Sequence, residues 1–181
     1  GASVVARDRK SEAELSCAAA LRGRGVELRC GEDYLDDIEE DYIFRAPGIR
    51  YDVPGFVRAV ERGSILTSEM QLFFELCPCR IIGITGSDGK TTTTTLISKI
   101  LEAAGYRVFV GGNIGRPLLP ELGNMTENDY AVVELSSFQL HTMTLSPDIA
   151  VVTNISPNHL NYHKGMEEYV AAKENIFTHM R

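Results

Sequence analysis

Ile81-Ile82-Gly83-Ile84-Thr85-Gly86-Ser87-Asp88-Gly89-Lys90-Thr91-Thr92 is the stretch that decides the fold. Its first five residues suit a strand buried on both faces, as in a parallel sheet. Two glycines follow within four residues. Beyond them Leu96, Ile97, Ile100, Leu101 and Ala104 recur at helical spacing, and Gly105 ends the pattern. A strand, a glycine-rich turn and a helix in that order build a phosphate cradle. The turn lets backbone N–H groups point inward, and the helix N-terminus adds a favourable dipole. Lys90 can reach the outer phosphates and the Thr91 hydroxyl can ligate Mg²⁺. The strict P-loop pattern fails by one position, because Ile84 stands five places before Gly89 and Gly83 lies one further back. The candidate nucleotide-binding residues are Thr85, Gly86, Ser87, Asp88, Gly89, Lys90, Thr91 and Thr92. The rest of the threonine run, to Thr95, is β-branched and reads as local structure.

Working outward, the pattern alternates. Strands are expected at Tyr106–Val110, Ala131–Leu135 and Asp148–Asn154, with a last helix from about Met166 to Met180. In an open parallel sheet, ligands bind beyond the carboxyl ends of the strands. Asn113 (in Gly111-Gly112-Asn113-Ile114-Gly115), Glu134 and His159 all fall at such ends, beside the Lys90 loop. Glu134, after Tyr130-Ala131-Val132-Val133, takes the place of the acidic metal-binding residue of P-loop enzymes; a helix-capping carboxylate is the bland alternative. His159 is a candidate second metal ligand. His141, His163 and His179 read as surface or packing histidines. Lys173 falls on the apolar stripe of Met166, Tyr169, Val170, Ile176 and Phe177. Two readings stay open for it: a stem that snorkels to solvent, or an inward lysine near metals.

Ahead of the loop, Val4–Ala6, Val26–Leu28, Tyr42–Phe44 and Ser64–Thr67 read as strands. Ser11 with Glu14 forms a capping box opening one helix that Gly23 and Gly25 close. Pro54 sits in the first turn of another helix, ended by Gly63. Ser68 with Gln71 caps a third. Cys77-Pro78-Cys79 breaks the pattern, which places a domain boundary there. The segment from Glu32 to Asp41 holds seven acids in ten residues. It reads as a solvated surface that would repel phosphate. The expected class is α/β, with an incomplete Rossmann-like domain at 1–78 and part of a P-loop-type central ATP-binding domain with a parallel sheet at 79–181.

Composition narrows the function. The chain has 181 residues, 44% hydrophobic and 24% charged, and a formal net charge of −7. One large or two small domains are expected, with enough apolar material for a core. An acidic chain without a basic tract is a poor non-specific binder of nucleic acid or membrane surfaces. No apolar run approaches the roughly 20 residues that span a bilayer. The four cysteines lack disulfide-scaffold density and read as reduced cytoplasmic thiols.

Together these motifs resemble the Mur ligase family of ATP-dependent amide-forming enzymes. The resemblance rests on Ile84–Thr92, Gly112-Asn113-Ile114-Gly115, Glu134-Leu135-Ser136-Ser137-Phe138-Gln139-Leu140, Asn154-Ile155-Ser156-Pro157-Asn158-His159-Leu160 and Ala171-Ala172-Lys173. The phosphate loop is shared by all Mur ligases and by folylpolyglutamate synthases. The Glu134–Leu140 stretch points to the branch that joins D-glutamate to UDP-N-acetylmuramoyl-L-alanine. The resemblance implies that Lys90 and the loop amides hold ATP, that Thr91 and Glu134 bind Mg²⁺, and that His159 with a carbamylated Lys173 holds a second Mg²⁺. It implies substrate contacts at Asn113, Ser136 and Gln139, and at Asp8, Arg9, Ala46, Pro47 and Gly48 for the uridine end. It also implies a monomeric cytoplasmic enzyme of peptidoglycan precursor synthesis. Asn161 stands where the family usually has Asp, and Ala46 where it often has Ser. Relative to the family pattern the opening strand and glycine-rich loop, and a C-terminal ligase domain, are expected outside this sequence. The alternatives are another family member, a folylpolyglutamate synthase relative, or a fragment that binds nucleotide or substrate without turnover.

Overall fold

A computed structural model describes residues 1–180. Its contacts define two compact units: Gly1–Ile43 with Tyr51–Leu66, and Phe44–Arg50 with residues 67 onward.

In the first unit, β1 (Val5–Asp8) and β2 (Glu27–Cys30) pair in parallel, with Val5 opposite Glu27 and Asp8 opposite Cys30. The single helix expected from Ser11 is broken. The Ser11–Glu14 capping box forms, but over one 3-10 turn (Glu12–Glu14), and helix α1 starts afresh at Ala18–Gly23. A capping box is satisfied within one turn and does not by itself propagate a helix, whose nucleus is costly. β3 (Tyr42–Phe44) pairs with β4 (Ile65–Thr67). Between them α2 (Pro54–Glu61) opens on proline and buries Phe56 and Ala59. Most acids of the 32–41 segment are exposed, as expected of a solvated stretch. The segment also does structural work. The Arg7 guanidinium donates to the carbonyls of Tyr34, Asp36 and Asp37 and to the Glu40 carboxylate, while Ile38 is buried.

The second unit is built on a four-stranded, wholly parallel sheet. Its strands are β5 (Arg80–Thr85), β6 (Val108–Gly112), β7 (Tyr130–Glu134) and β8 (Ile149–Val152), in the order β6-β7-β5-β8. One sheet face, with Ile82, Ile84 and Val132, packs on Ile97 and Leu101 of α4 (Lys90–Ala103). The other, with Ile81, Ala131 and Val133, packs on Met70 and Phe73 of α3 (Glu69–Leu76), Leu140 of α5 (Ser137–Leu140) and Ile176 of α6 (Met166–Thr178). Burying both faces explains why β5 and β7 are continuously apolar.

Three expectations shift. The buried face of α4 is Thr94, Ile97, Ser98 and Leu101, whereas Leu96 and Ile100 are exposed. The helix is rotated from its apolar stripe because its first turn must present Lys90 and Thr91 at the sheet edge. The units also divide away from position 78. α3 gives Met70, Phe73 and Phe74 to the core beneath the large sheet, so it belongs with residues that follow Pro78. Residues 44–50 join that unit through Arg45, which is buried and donates to carbonyls of Pro47, Ile49 and Phe138.

Candidate functional site

A parallel sheet puts all its strand ends on one edge, so this edge collects the loops after β5, β6, β7 and β8. The loop after β5 is shaped by close approach. Gly86 adopts φ +146°, and a Cβ there would sit 1.9 Å from Thr153 Oγ1. Gly89, at φ +78°, starts α4 in a left-handed conformation. The loop is pinned from behind by residues just past β8. Ser87 N donates to Asn154 O (2.9 Å), Asp88 N to Asn154 Oδ1 (3.1 Å), and Thr153 Oγ1 and Asn154 Nδ2 donate to Asp88 O (2.6 and 3.0 Å). Ser87 Oγ donates to Ser156 O and accepts from Ser156 N, both at 2.8 Å, and also contacts the Tyr169 hydroxyl at 2.9 Å. Sequence reasoning gave no role to Thr153, Ser156 or Tyr169. The only signal was the Asn154-Ile155-Ser156 stretch itself. Lys90 Nζ donates to Gly86 O (3.1 Å) and Ser87 O (2.9 Å), so its ammonium lies over the loop it ends.

Glu134 closes β7 and is 1% exposed. Thr91 Oγ1 donates to its Oε2 (2.8 Å) and Asn113 Nδ2 to its Oε1 (2.9 Å). Asn113 is held in place by its own N–H on Glu134 O (2.8 Å). Among the described residues no cationic side chain pairs with this carboxylate. Buried charges are otherwise paired or bound to metal, so a buried carboxylate facing only neutral donors fits a divalent cation. It is not the helix cap of the bland alternative. Ser136 caps α5 instead, accepting from Gln139 N (3.2 Å), while Gln139 Oε1 accepts from Ser136 N (3.0 Å).

Lys173 is 2% exposed, which overturns the snorkelling reading. Its Nζ donates to Gly86 O (2.8 Å) and Thr85 Oγ1 (3.3 Å) and lies 4.8 Å from the centre of the Tyr169 ring. Burial, and then the charge of Lys90, push its pKa down to about 8. Thr85 Oγ1 donates in turn to Leu135 O (2.8 Å). Lys173, Lys90 and Gly86 thus meet, as do Thr91, Glu134 and Asn113. His159 stands apart. It is exposed, takes a left-handed φ of +55°, and rests its ring 4.9 Å from that of Phe138. Among the described residues it makes no hydrogen bond or ion pair with Thr91, Glu134 or Lys173.

The other substrate candidates divide between the units. Ala46 and Pro47 share a cavity of about 230 Å³ with Gln139, Arg45, Phe44 and Ser68. In the first unit Asp8, at the end of β1, accepts from Lys10 N, and Arg9 forms an exposed pair with Glu32. An open groove of about 450 Å³ runs along Thr91, Thr92, Thr95, Leu96 and Lys99 of α4. His163 and His141 are not surface residues. Buried His163 clusters with half-buried His141 and Glu168.

A parallel α/β sheet with a lysine-ended glycine loop at its carboxyl edge defines a P-loop-type domain. Residues 84–181 match the family model described as the Mur ligase middle domain, and the chain belongs to that family. It is 54% identical over 179 residues to UDP-N-acetylmuramoylalanine--D-glutamate ligase of Acetivibrio thermocellus, covering 98% of this chain and 38% of that protein. The chain therefore spans well under half the length of that curated relative. Among solved structures, UDP-N-acetylmuramate-alanine ligase from Thermotoga maritima matches at TM-score 0.50 and 27% identity, over 93% of this chain and 40% of that one. A Neisseria ligase acting on UDP-N-acetylmuramate and a tripeptide matches at TM-score 0.54 and 17% identity, over 92% and 57%, and supports the fold alone.

Proposed function

We propose that this chain is the substrate- and ATP-binding part of an enzyme that joins D-glutamate to UDP-N-acetylmuramoyl-L-alanine in the cytoplasm. The observation that carries the reading is Glu134, a buried carboxylate that pairs with no cationic side chain among the described residues, held by Thr91 and Asn113 at the mouth of a phosphate loop. The 54% identity to a named D-glutamate ligase supports the choice of branch.

In this reading the Gly89 amide and the Lys90 ammonium bind the outer phosphates of ATP, in a loop whose Ser87 and Asp88 amides are held from behind by Asn154. Thr91 and Glu134 are placed to hold Mg²⁺, which would supply neutralisation of phosphate charge. His159 and Lys173 are the proposed holders of a second ion. Lys173 suits modification: a pKa near 8 leaves about half of it neutral at pH 8, and the neutral amine is what adds CO₂ to give a carbamate with loss of a proton. The substrate carboxylate takes the γ-phosphoryl group, releasing ADP. The amine of D-glutamate then attacks the acyl phosphate, forming the amide and releasing phosphate. Positioning and charge neutralisation dominate such chemistry. The cavity shared by Ala46, Pro47 and Gln139 is proposed for the sugar-nucleotide substrate, with Asn113 and Ser136 as contacts of its reacting end; Gly48 of the second unit and, separately, Asp8 and Arg9 of the first unit are proposed contacts of the uridine end. The groove along α4 is proposed for the nucleoside of ATP.

The test is ADP release by the complete enzyme. It should require UDP-N-acetylmuramoyl-L-alanine and D-glutamate together. Release with a folate and L-glutamate instead would move the chain to the folylpolyglutamate synthase branch.

A further inference from the structure

Among the described residues His159 makes no hydrogen bond or ion pair with Thr91, Glu134 or Lys173, yet the loop that bears it is firmly strapped. The N–H groups of Tyr162 and His163 both donate to His159 O (3.0 and 3.1 Å), closing a turn around its left-handed backbone. That turn is gripped by Glu168, in the first turn of α6. The Glu168 carboxylate accepts from Lys164 N (2.5 Å) and from both arms of the Arg50 guanidinium (3.0 and 3.1 Å). His141 and His163 approach it to 3.6 Å each. Arg50 donates again to Tyr162 O (2.6 Å). The Tyr162 hydroxyl reaches Pro47 O (3.3 Å), and its ring lies 4.3 Å from that of Phe138, the ring against which His159 rests.

The ligand atoms of His141, His163 and Glu168 lie within 4.8 Å of one another, as a metal site's would. The bidentate guanidinium on both carboxylate oxygens argues for another use. An arginine fork fixes geometry as well as charge, and this one spans two segments, 46–50 and 159–168.

We propose that Arg50 and Glu168 are positioning residues that make the segment Ala46-Pro47-Gly48 and the His159 loop one body, so that substrate held at the first sets the metal-binding histidine on the second. The proposal deepens the ligase reading and rests on it. A bidentate pair at 19% and 20% side-chain exposure is shielded enough to hold this geometry.

The test uses the complete enzyme, with Glu168→Gln and, as a milder second variant, Arg50→Lys, which keeps the charge and loses the fork. Hydrogen exchange is followed at residues 159–163, at 46–49 and in α4, and Mn²⁺ and ATP-analogue affinities are measured with the UDP substrate present. Expected for Glu168→Gln is exchange at least about tenfold faster in both strapped segments, with α4 unchanged. Mn²⁺ binding weakens about tenfold or more, while nucleotide affinity changes less than about twofold; Arg50→Lys falls between. Faster exchange confined to the start of α6, or joint loosening with Mn²⁺ affinity unchanged, overturns the proposal. A wild-type enzyme with no nucleotide-dependent Mn²⁺ site would instead sink the ligase reading, before any variant is examined.

Discussion

Glu134 and Glu168 are both shielded carboxylates in the same unit, and they are satisfied in opposite ways. Among the described residues Glu134 receives a hydroxyl and an amide and no cationic side chain. Glu168 receives a guanidinium fork, which holds its carboxyl down at about 2. The first charge meets only neutral donors among the described residues; the second is neutralised in place. Negative charge beside a phosphate loop is costly unless a divalent ion joins it, whereas negative charge at the start of α6 is favoured by the helix dipole as well as by Arg50. Exposure to function and commitment to structure are thus separated between two glutamates of one unit.

The contrast can be broken most severely at the loop itself. Gly86→Ala adds a Cβ 1.9 Å from Thr153 Oγ1 at a φ of +146°. The expected result is loss of ATP-analogue binding by more than about 100-fold, and destabilisation of about 2–3 kcal/mol, read by calorimetry and denaturant melts. Retained nucleotide affinity would show that the loop does not need its buttress.

Next come the two glutamates. Glu134→Gln should lower turnover of the complete enzyme by about 10²–10³, yet leave Tm in metal-free buffer unchanged or higher, because an unpaired buried charge is removed. Glu168→Gln should do the reverse to stability. It takes the carboxylate from Arg50, which keeps its bond to Tyr162 O, and partial exposure trims the cost to about 1–2 kcal/mol, a Tm fall of about 3 °C per kcal/mol for a chain of this size. Equal Tm changes in the two variants would erase the distinction.

Lys173 sharpens the Glu134 side. Lys173→Ala should abolish turnover, with partial rescue by short carboxylic acids and nucleotide binding kept. A ¹³C carbamate signal from labelled bicarbonate should appear in the wild type and vanish in the variant. Unchanged turnover would leave Lys173 a packing residue.

Much of the Glu134 side is legible in the sequence. A glycine turn ending in Lys90 and Thr91 between an apolar strand and a helix points to phosphate binding, and a parallel sheet puts the ends of β6, β7 and β8 on the same edge as that turn. The buried face of α4 is less legible, because Leu96 and Ile100 outweigh Thr94 and Ser98 in any hydrophobic pattern, while the need to aim Lys90 fixes the rotation. The Glu168 side is not legible. Arg50 and Glu168 are 118 residues apart, and an arginine after a turn and a glutamate in an acidic first turn both look like solvated surface. His163 looked like packing and is so, but only its partners show that it is also electrostatic. The α1 region fails for a different reason: Ser11 and Glu14 state where a turn begins and not how far a helix runs.

The smallest effect separates the two parts of the Glu168 cluster. His163 is 2% exposed, and burial, then His141, depress its pKa to about 4; Glu168 opposes that shift, while Arg50 and His159 add to it. The folded state therefore binds fewer protons than the unfolded chain between pH 6.5 and 4, and stability is lost as pH falls through that window. Glu168, depressed from 4.5 to about 2, loses its own contribution lower down, between about 4.5 and 2. Tm measured from pH 7 to 3 should bend downward in both ranges. His163→Phe keeps a ring against Phe138, Tyr162 and Tyr169 and should flatten the upper bend, whereas Glu168→Gln should flatten the lower and, by removing the charge that opposes the His163 shift, leave the upper at least as deep. If His163→Phe leaves the upper bend intact, the imidazole is not buried neutral, and Glu168 holds it as an ion pair rather than as a neighbour.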